Sequence, residues 1–95
     1  MRDVSSLELY RRMTRIRRFE EEVARRFRQG ELPGFVHLSI GQEAVAVGVC
    51  SVLEGEDCIT TTHRGHGHVI AKGANLKKLA AELYGSPDGA CRGLG

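Results

Sequence analysis

Tryptophan is missing from this chain and aromatic residues make up only 5% of it, yet the 41% apolar fraction is ordinary for a globular protein. No apolar run is long enough to span a bilayer, and Met1 to Tyr10 has no signal-peptide hydrophobic region, so neither a membrane anchor nor export is indicated. A mitochondrial transit peptide would avoid acids, whereas Glu8 and Glu20 to Glu22 stand in the first stretch. A strong charge of one sign is also absent. The net charge of +2 is too small to argue for nucleic acid, and the arginines alternate with glutamates instead of forming a run. Cys50, Cys58 and Cys91 form no CxxC pair, and three thiols cannot all pair within one chain. Reduced cysteines in a cytosolic or otherwise reducing compartment are the simplest reading. No internal repeat or low-complexity segment occurs. At 95 residues the chain is at most one small domain, burying ~60–65% of its extended surface.

What is present centres on Cys58-Ile59-Thr60-Thr61-Thr62-His63-Arg64-Gly65-His66-Gly67-His68. The β-branched run Ile59 to Thr62 predicts a strand. It breaks into alternating glycines, three imidazoles and one guanidinium, and glycine allows tight turns and close backbone approach. His68 to Lys72 then predicts a short helix stopped by Gly73. A strand entering a glycine-rich turn and a helix is where open α/β sheets place ligands. Arg64 brings to that turn a fork of donors matched to phosphate oxygens.

The flanks are helical in pattern. Ser5 with Glu8 fits a capping box. Leu9, Met13, Ile16, Phe19, Val23 and Phe27 then recur near the helical period until Gly30 and Pro33. Opposite them, Glu21–Arg25 and Glu22–Arg26 have the favoured order for ion pairs, which makes a braced, solvated face the expectation over a binding face. Glu31 to Ser39 reads as a loop with Pro33-Gly34 as a turn. Within it His37 sits among Phe35, Val36 and Leu38, a place for either a structural histidine or a proton-transfer group. Ser39-Ile40-Gly41-Gln42 predicts a second cap, opening an apolar helix from Glu43 to Leu53 in which Ala44, Ala46 and Gly48 allow close contact. Asn75 predicts the cap of a last helix with Leu76, Leu79, Ala80 and Leu83 on one face, ended by Gly85 and a Ser86-Pro87-Asp88-Gly89 turn. The tail to Gly95 has no periodicity and reads as a chain cut short.

Three chemistries compete at the histidine turn. A metal site at His63, His66 and His68 is disfavoured, because H-x-x-H-x-H matches no common zinc spacing and no second ligand pair stands nearby. Imidazoles and glycines that only turn the chain are a second reading. Anion binding by Arg64, a neighbouring imidazole and the following helix is the third and favoured one, with a diphosphate as the anion.

Four motifs stand in order: Gly34-Phe35-Val36-His37-Leu38; Gly41-Gln42-Glu43-Ala44 with Val47-Gly48; Thr62-His63-Arg64-Gly65-His66-Gly67-His68; and Ala81-Glu82-Leu83-Tyr84-Gly85. The series resembles the N-terminal part of the α subunit of thiamine-diphosphate-dependent dehydrogenases, the E1 components of 2-oxo acid dehydrogenase complexes and of the acetoin dehydrogenase system. It runs from about the first helix to Gly95. The resemblance implies an α/β thiamine-diphosphate-binding fold of which residues 1–95 form a partial domain, mostly helical, with one strand. It implies a cytoplasmic enzyme that cleaves acetoin or decarboxylates a 2-oxo acid such as pyruvate and passes the acyl group to a lipoyl carrier.

Residue by residue, the resemblance makes Arg64 the holder of the cofactor diphosphate. His63 falls where pyruvate-type members often carry a tyrosine that also touches the cofactor, and the Thr-His-Arg-Gly-His-Gly-His form is closest to acetoin dehydrogenase α chains. His37 matches the active-centre histidine on the substrate side, and His66 receives no firm role. The implied partners are an E1 β subunit in an α2β2 heterotetramer and a lipoyl-bearing acyltransferase, with neither nucleic acid nor membrane. The Mg²⁺ ligands, a Gly-Asp-Gly motif and a later Asn, are expected beyond residue 95, and the glutamate that activates the cofactor on the β subunit. The 95-residue chain alone is therefore expected to be inactive, as a fragment or a truncated product. A non-enzymatic helical interaction module or an inactive remnant is the rival reading.

Overall fold

Helix ends leave backbone amides and carbonyls without partners, and in this chain two polar side chains and several glycine-based backbone closures answer them. In the computed structural model, which describes residues 4–34 and 36–93, helix α1 spans Ser6–Arg28. The Ser5 hydroxyl accepts from the Glu8 amide at 3.1 Å, as the capping pattern predicts. At the far end Gly30 takes a φ of 77°. Its amide bonds the Phe27 carbonyl at 3.0 Å and the Glu31 amide bonds Arg26 at 3.1 Å, the paired closure of a Schellman motif. The same closure ends α3, His66–Ala71, at Gly73 and α4, Leu76–Leu83, at Gly85. Asn75 caps α4 by accepting from the Lys78 amide at 3.1 Å. The Gly89 amide closes the predicted turn on the Ser86 carbonyl at 3.0 Å.

Helix α2 is Glu43–Cys50, three residues shorter at its C-terminal end than the pattern predicts, and Ser39 does not cap it. Its N-cap is Gln42, with no side-chain bond; Ser39 is drawn instead to a carboxylate of α1. Ile16 of α1, Ala46 and Val47 of α2 and Ile70 of α3 form the buried centre, with Leu9, Met13, Phe19, Leu76 and Leu79 packed against it. Each full burial of such a side chain contributes ~1.5–3 kcal/mol. One face of α2 lies in this centre, while Val45 and Val49, with Val52 just beyond, remain about half exposed or more. Of the three small residues expected at a close contact only Ala46 is buried; Ala44 and Gly48 face outward.

The expected strand is not there. Ile59 to Thr62 is irregular, and the described residues form helices and loops without a sheet, so the α/β expectation is not met within them. A strand needs a neighbouring ladder, and no extended segment among the described residues lies alongside to supply one. The short helix after the turn begins at His66, two residues before the predicted His68. On the charged face of α1, Arg26 Nε bonds Glu22 at 2.6 Å as expected, but Arg25 also turns to Glu22 and not to Glu21. Two guanidiniums hold the Glu22 carboxyl well below its usual range, at about 2. Phe35 beside His37, and Leu94 and Gly95 of the tail, lie outside the described residues.

Candidate functional site

The loop 36–42 and the turn 58–65 carry no regular structure, and the loop is held by side-chain bonds from the helices. Two buried glutamates do most of this. Glu43, at the start of α2, accepts from Arg17 Nε at 2.7 Å, from Arg17 Nη2 at 3.1 Å and from the Gly41 amide at 2.9 Å. The Arg17 fork, followed by the backbone donors, depresses the Glu43 carboxyl to about 2. Glu20, in the middle of α1, is fully buried. Its Oε2 accepts from the Ser39 amide at 2.7 Å and from the Ser39 hydroxyl at 3.2 Å, while Oε1 meets His66 Nδ1 at 2.9 Å.

This joint closes only because residue 67 is glycine. A Cβ there would stand 2.8 Å from Ser39 Oγ and 3.5 Å from Ile16 Cγ2. Gly65 is under the same constraint, with Thr61 Oγ1 2.6 Å from the place of a Cβ. The expectation that glycines in the turn allow close approach is met at these two positions.

With loop and turn held together, His37 and His63 meet edge to face, ring centroids 4.9 Å apart and planes at 89°. Both line a cavity of about 430 Å³. His66 also lines it, and Val36, Val69, Leu79 and Leu83 give it apolar walls. An apolar recess with a few convergent polar groups is the usual form of a small-molecule site. Cys91 reaches the cavity from the tail segment, whose Cys91 and Gly93 amides are tied to Glu82 Oε1 at 2.8 and 2.9 Å.

Arg64 is placed differently from the expectation. His63 and Gly65 on either side of it line the cavity, but Arg64 does not. Its Nη1 donates to the Leu38 carbonyl, which clamps the turn onto the loop beside His37. The side chain is exposed, and a guanidinium has four further N–H donors. Helix α3, which follows the turn, has six residues and no side-chain cap at its N-terminus. His68 lines no part of the cavity, and its buried Nδ1 has no partner among the described residues. No group of three metal-ligating side chains is gathered among the described residues.

Sequence reasoning missed Glu20. Its signal was present: a carboxylate four residues after Ile16 and three before Val23 lies inside the apolar stripe of α1, where an acid must find donors.

Over residues 11–94 the chain matches the family model described as dehydrogenase E1 component. It is 56% identical over 90 residues to the α subunit of acetoin:2,6-dichlorophenolindophenol oxidoreductase of Bacillus subtilis, covering 95% of this chain and 27% of that protein. The same-named subunit of Cupriavidus necator is 48% identical over 89 residues, with 94% and 27% covered. The pyruvate dehydrogenase E1 component α subunit of Zymomonas mobilis is 49% identical over 90 residues, with 94% and 25% covered. The chain thus spans about a quarter of the length of these curated relatives.

Proposed function

We propose a function from one established premise: the chain belongs to the dehydrogenase E1 component family. On this reading it forms the N-terminal part of the α subunit of a thiamine-diphosphate-dependent dehydrogenase that cleaves acetoin or decarboxylates a 2-oxo acid such as pyruvate. Residues 1–95 are then one part of a larger thiamine-diphosphate-binding domain. The observation that carries this reading is the meeting of His37 and His63 over a single cavity. The two residues come from separate motifs and have no reason to converge in a chain that merely turns.

The residues present suit such a cofactor. The cavity has apolar walls for a heteroaromatic ring system and imidazoles to orient it. Arg64, next to a cavity-lining residue on each side, keeps open donors for a diphosphate, and His63 stands beside it. When bound, the cofactor supplies the electron sink that lets a bond beside a carbonyl break. His37 hydrogen-bonds the substrate at the cavity wall, and the apolar walls exclude water. Mg²⁺ for the diphosphate, an E1 β subunit in an α2β2 assembly and a lipoyl-bearing acyltransferase complete the proposal, with a cytoplasmic location. No helix among the described residues is long and apolar enough to cross a membrane.

Calorimetry of the assembled protein with thiamine diphosphate and Mg²⁺ tests the assignment. Arg64→Ala should weaken binding by about 10–100-fold, the loss of charge-assisted hydrogen bonds. His37→Ala should leave binding within a few-fold and depress turnover. Unchanged affinity in Arg64→Ala together with unchanged turnover in His37→Ala would sink the reading.

A further inference from the structure

Glu20 has no evident need to be where it is. It occupies a place in the apolar stripe of α1, fully buried, and no lysine or arginine among the described residues bonds it. An isolated buried carboxylate is costly, so three partners from two other segments answer it: the Ser39 amide, the Ser39 hydroxyl and the His66 ring. The Ser39 segment carries His37 two residues earlier, and His66 lines the same cavity as His37 and His63. One carboxylate therefore bonds the cavity-lining His66 and, through Ser39, the segment that carries His37. The absence of room for a Cβ at Gly67, against Ser39 Oγ at 2.8 Å, shows how closely α3 and the Ser39 segment are drawn together beside it.

We infer that Glu20 is a positioning residue of this site: it holds His66 in the Nδ1-protonated tautomer and so presents Nε2 to the cavity as a hydrogen-bond acceptor. A carboxylate oxygen without a proton only accepts, so a ring nitrogen held against it at 2.9 Å carries the hydrogen. In the neutral ring the other nitrogen is then a lone-pair acceptor. A carboxylate behind a histidine fixes tautomer and ring plane in the same way at metal sites. What Nε2 would receive is a hydroxyl or N–H donor on an organic ligand bound in the cavity. The inference rests on the proposed function only in taking the cavity as the place of reaction; the tautomer itself does not.

The test uses the assembled protein labelled with ¹⁵N-histidine, first without cofactor. The wild-type His66 signal should report protonation at Nδ1 and a free Nε2, and Glu20→Gln should replace it by a mixture of tautomers. His66→Asn supplies the second arm, because its amide nitrogen stands where Nδ1 stood and can still donate to Glu20, while nothing replaces Nε2. That variant should melt close to the wild type, with kcat lowered by about 10–100-fold and KM changed far less. A wild-type ring protonated only at Nε2, or a His66→Asn variant with unchanged kcat, overturns the inference. Should the protein turn over none of the proposed substrates, the function is refuted while the tautomer spectra still decide the role of Glu20.

Discussion

Two carboxylates are buried in this small core, and they are satisfied in opposite ways. Glu43 faces a cation, the Arg17 fork, near the protein rim, and its carboxyl is held down to about 2. Glu20 faces no cation of fixed charge; its partners are a backbone amide, a hydroxyl and an imidazole. Glu43 braces α1 against α2 and the adjoining Gly41, and ends there. Glu20 braces α1 against the loop and α3, and its last partner looks into the cavity. The difference teaches that a buried acid paired with guanidinium is a fastening, whereas one paired with imidazole passes its influence onward to whatever the ring's second nitrogen meets.

The contrast can be broken most forcefully at Glu20. Glu20→Ala strands three buried donors at once and should lower stability by about 3–5 kcal/mol in urea titration. A loss below about 1 kcal/mol would remove Glu20 from its central place. Gly67→Ala attacks the same joint from the other side by driving a methyl onto Ser39 Oγ, with an expected cost of about 1–3 kcal/mol from overpacking.

Glu43→Gln should cost about 1–2 kcal/mol and alter the acid limb of stability. A carboxyl whose folded value lies below its unfolded one contributes fully above about 4.5, and that contribution drains as pH falls toward about 2. Wild type should therefore lose stability through this window, and Glu43→Gln should lose visibly less; identical slopes would show that the Arg17 pair does nothing. The smallest effect belongs to the exposed Tyr84 hydroxyl, which accepts from Arg26 at 2.7 Å and donates to Glu31 at 2.8 Å. Tyr84→Phe should stay within about 0.5 kcal/mol, measured by thermal melting.

The residues themselves disclosed the helices well. Ser5, Asn75 and the glycines at 30, 73 and 85 act through local geometry, so each could be read where it stands. The false strand at Ile59 to Thr62 failed for the opposite reason: β-branched propensity is realised only beside a partner, and pairing is not a local property. Ser39 does not cap α2 because its amide and hydroxyl are taken by Glu20, nineteen residues away in the chain. At the site, His37 and His63 could each be singled out, but their contact could not. The route that joins them runs through Glu20 and through the Arg64 bond to Leu38, both between segments far apart in the chain.

That last bond has a consequence for any anion recruited by residue 64. The guanidinium already grips the carbonyl of Leu38, next to the imidazole at 37. A visitor that shifts the guanidinium loosens or tightens that grip, so filling the anionic berth and aiming the imidazole are thermodynamically linked. Linkage of this kind is reciprocal: on the proposed function, a small molecule that settles against His37 alters, by the same factor, how firmly an anion at Arg64 is held.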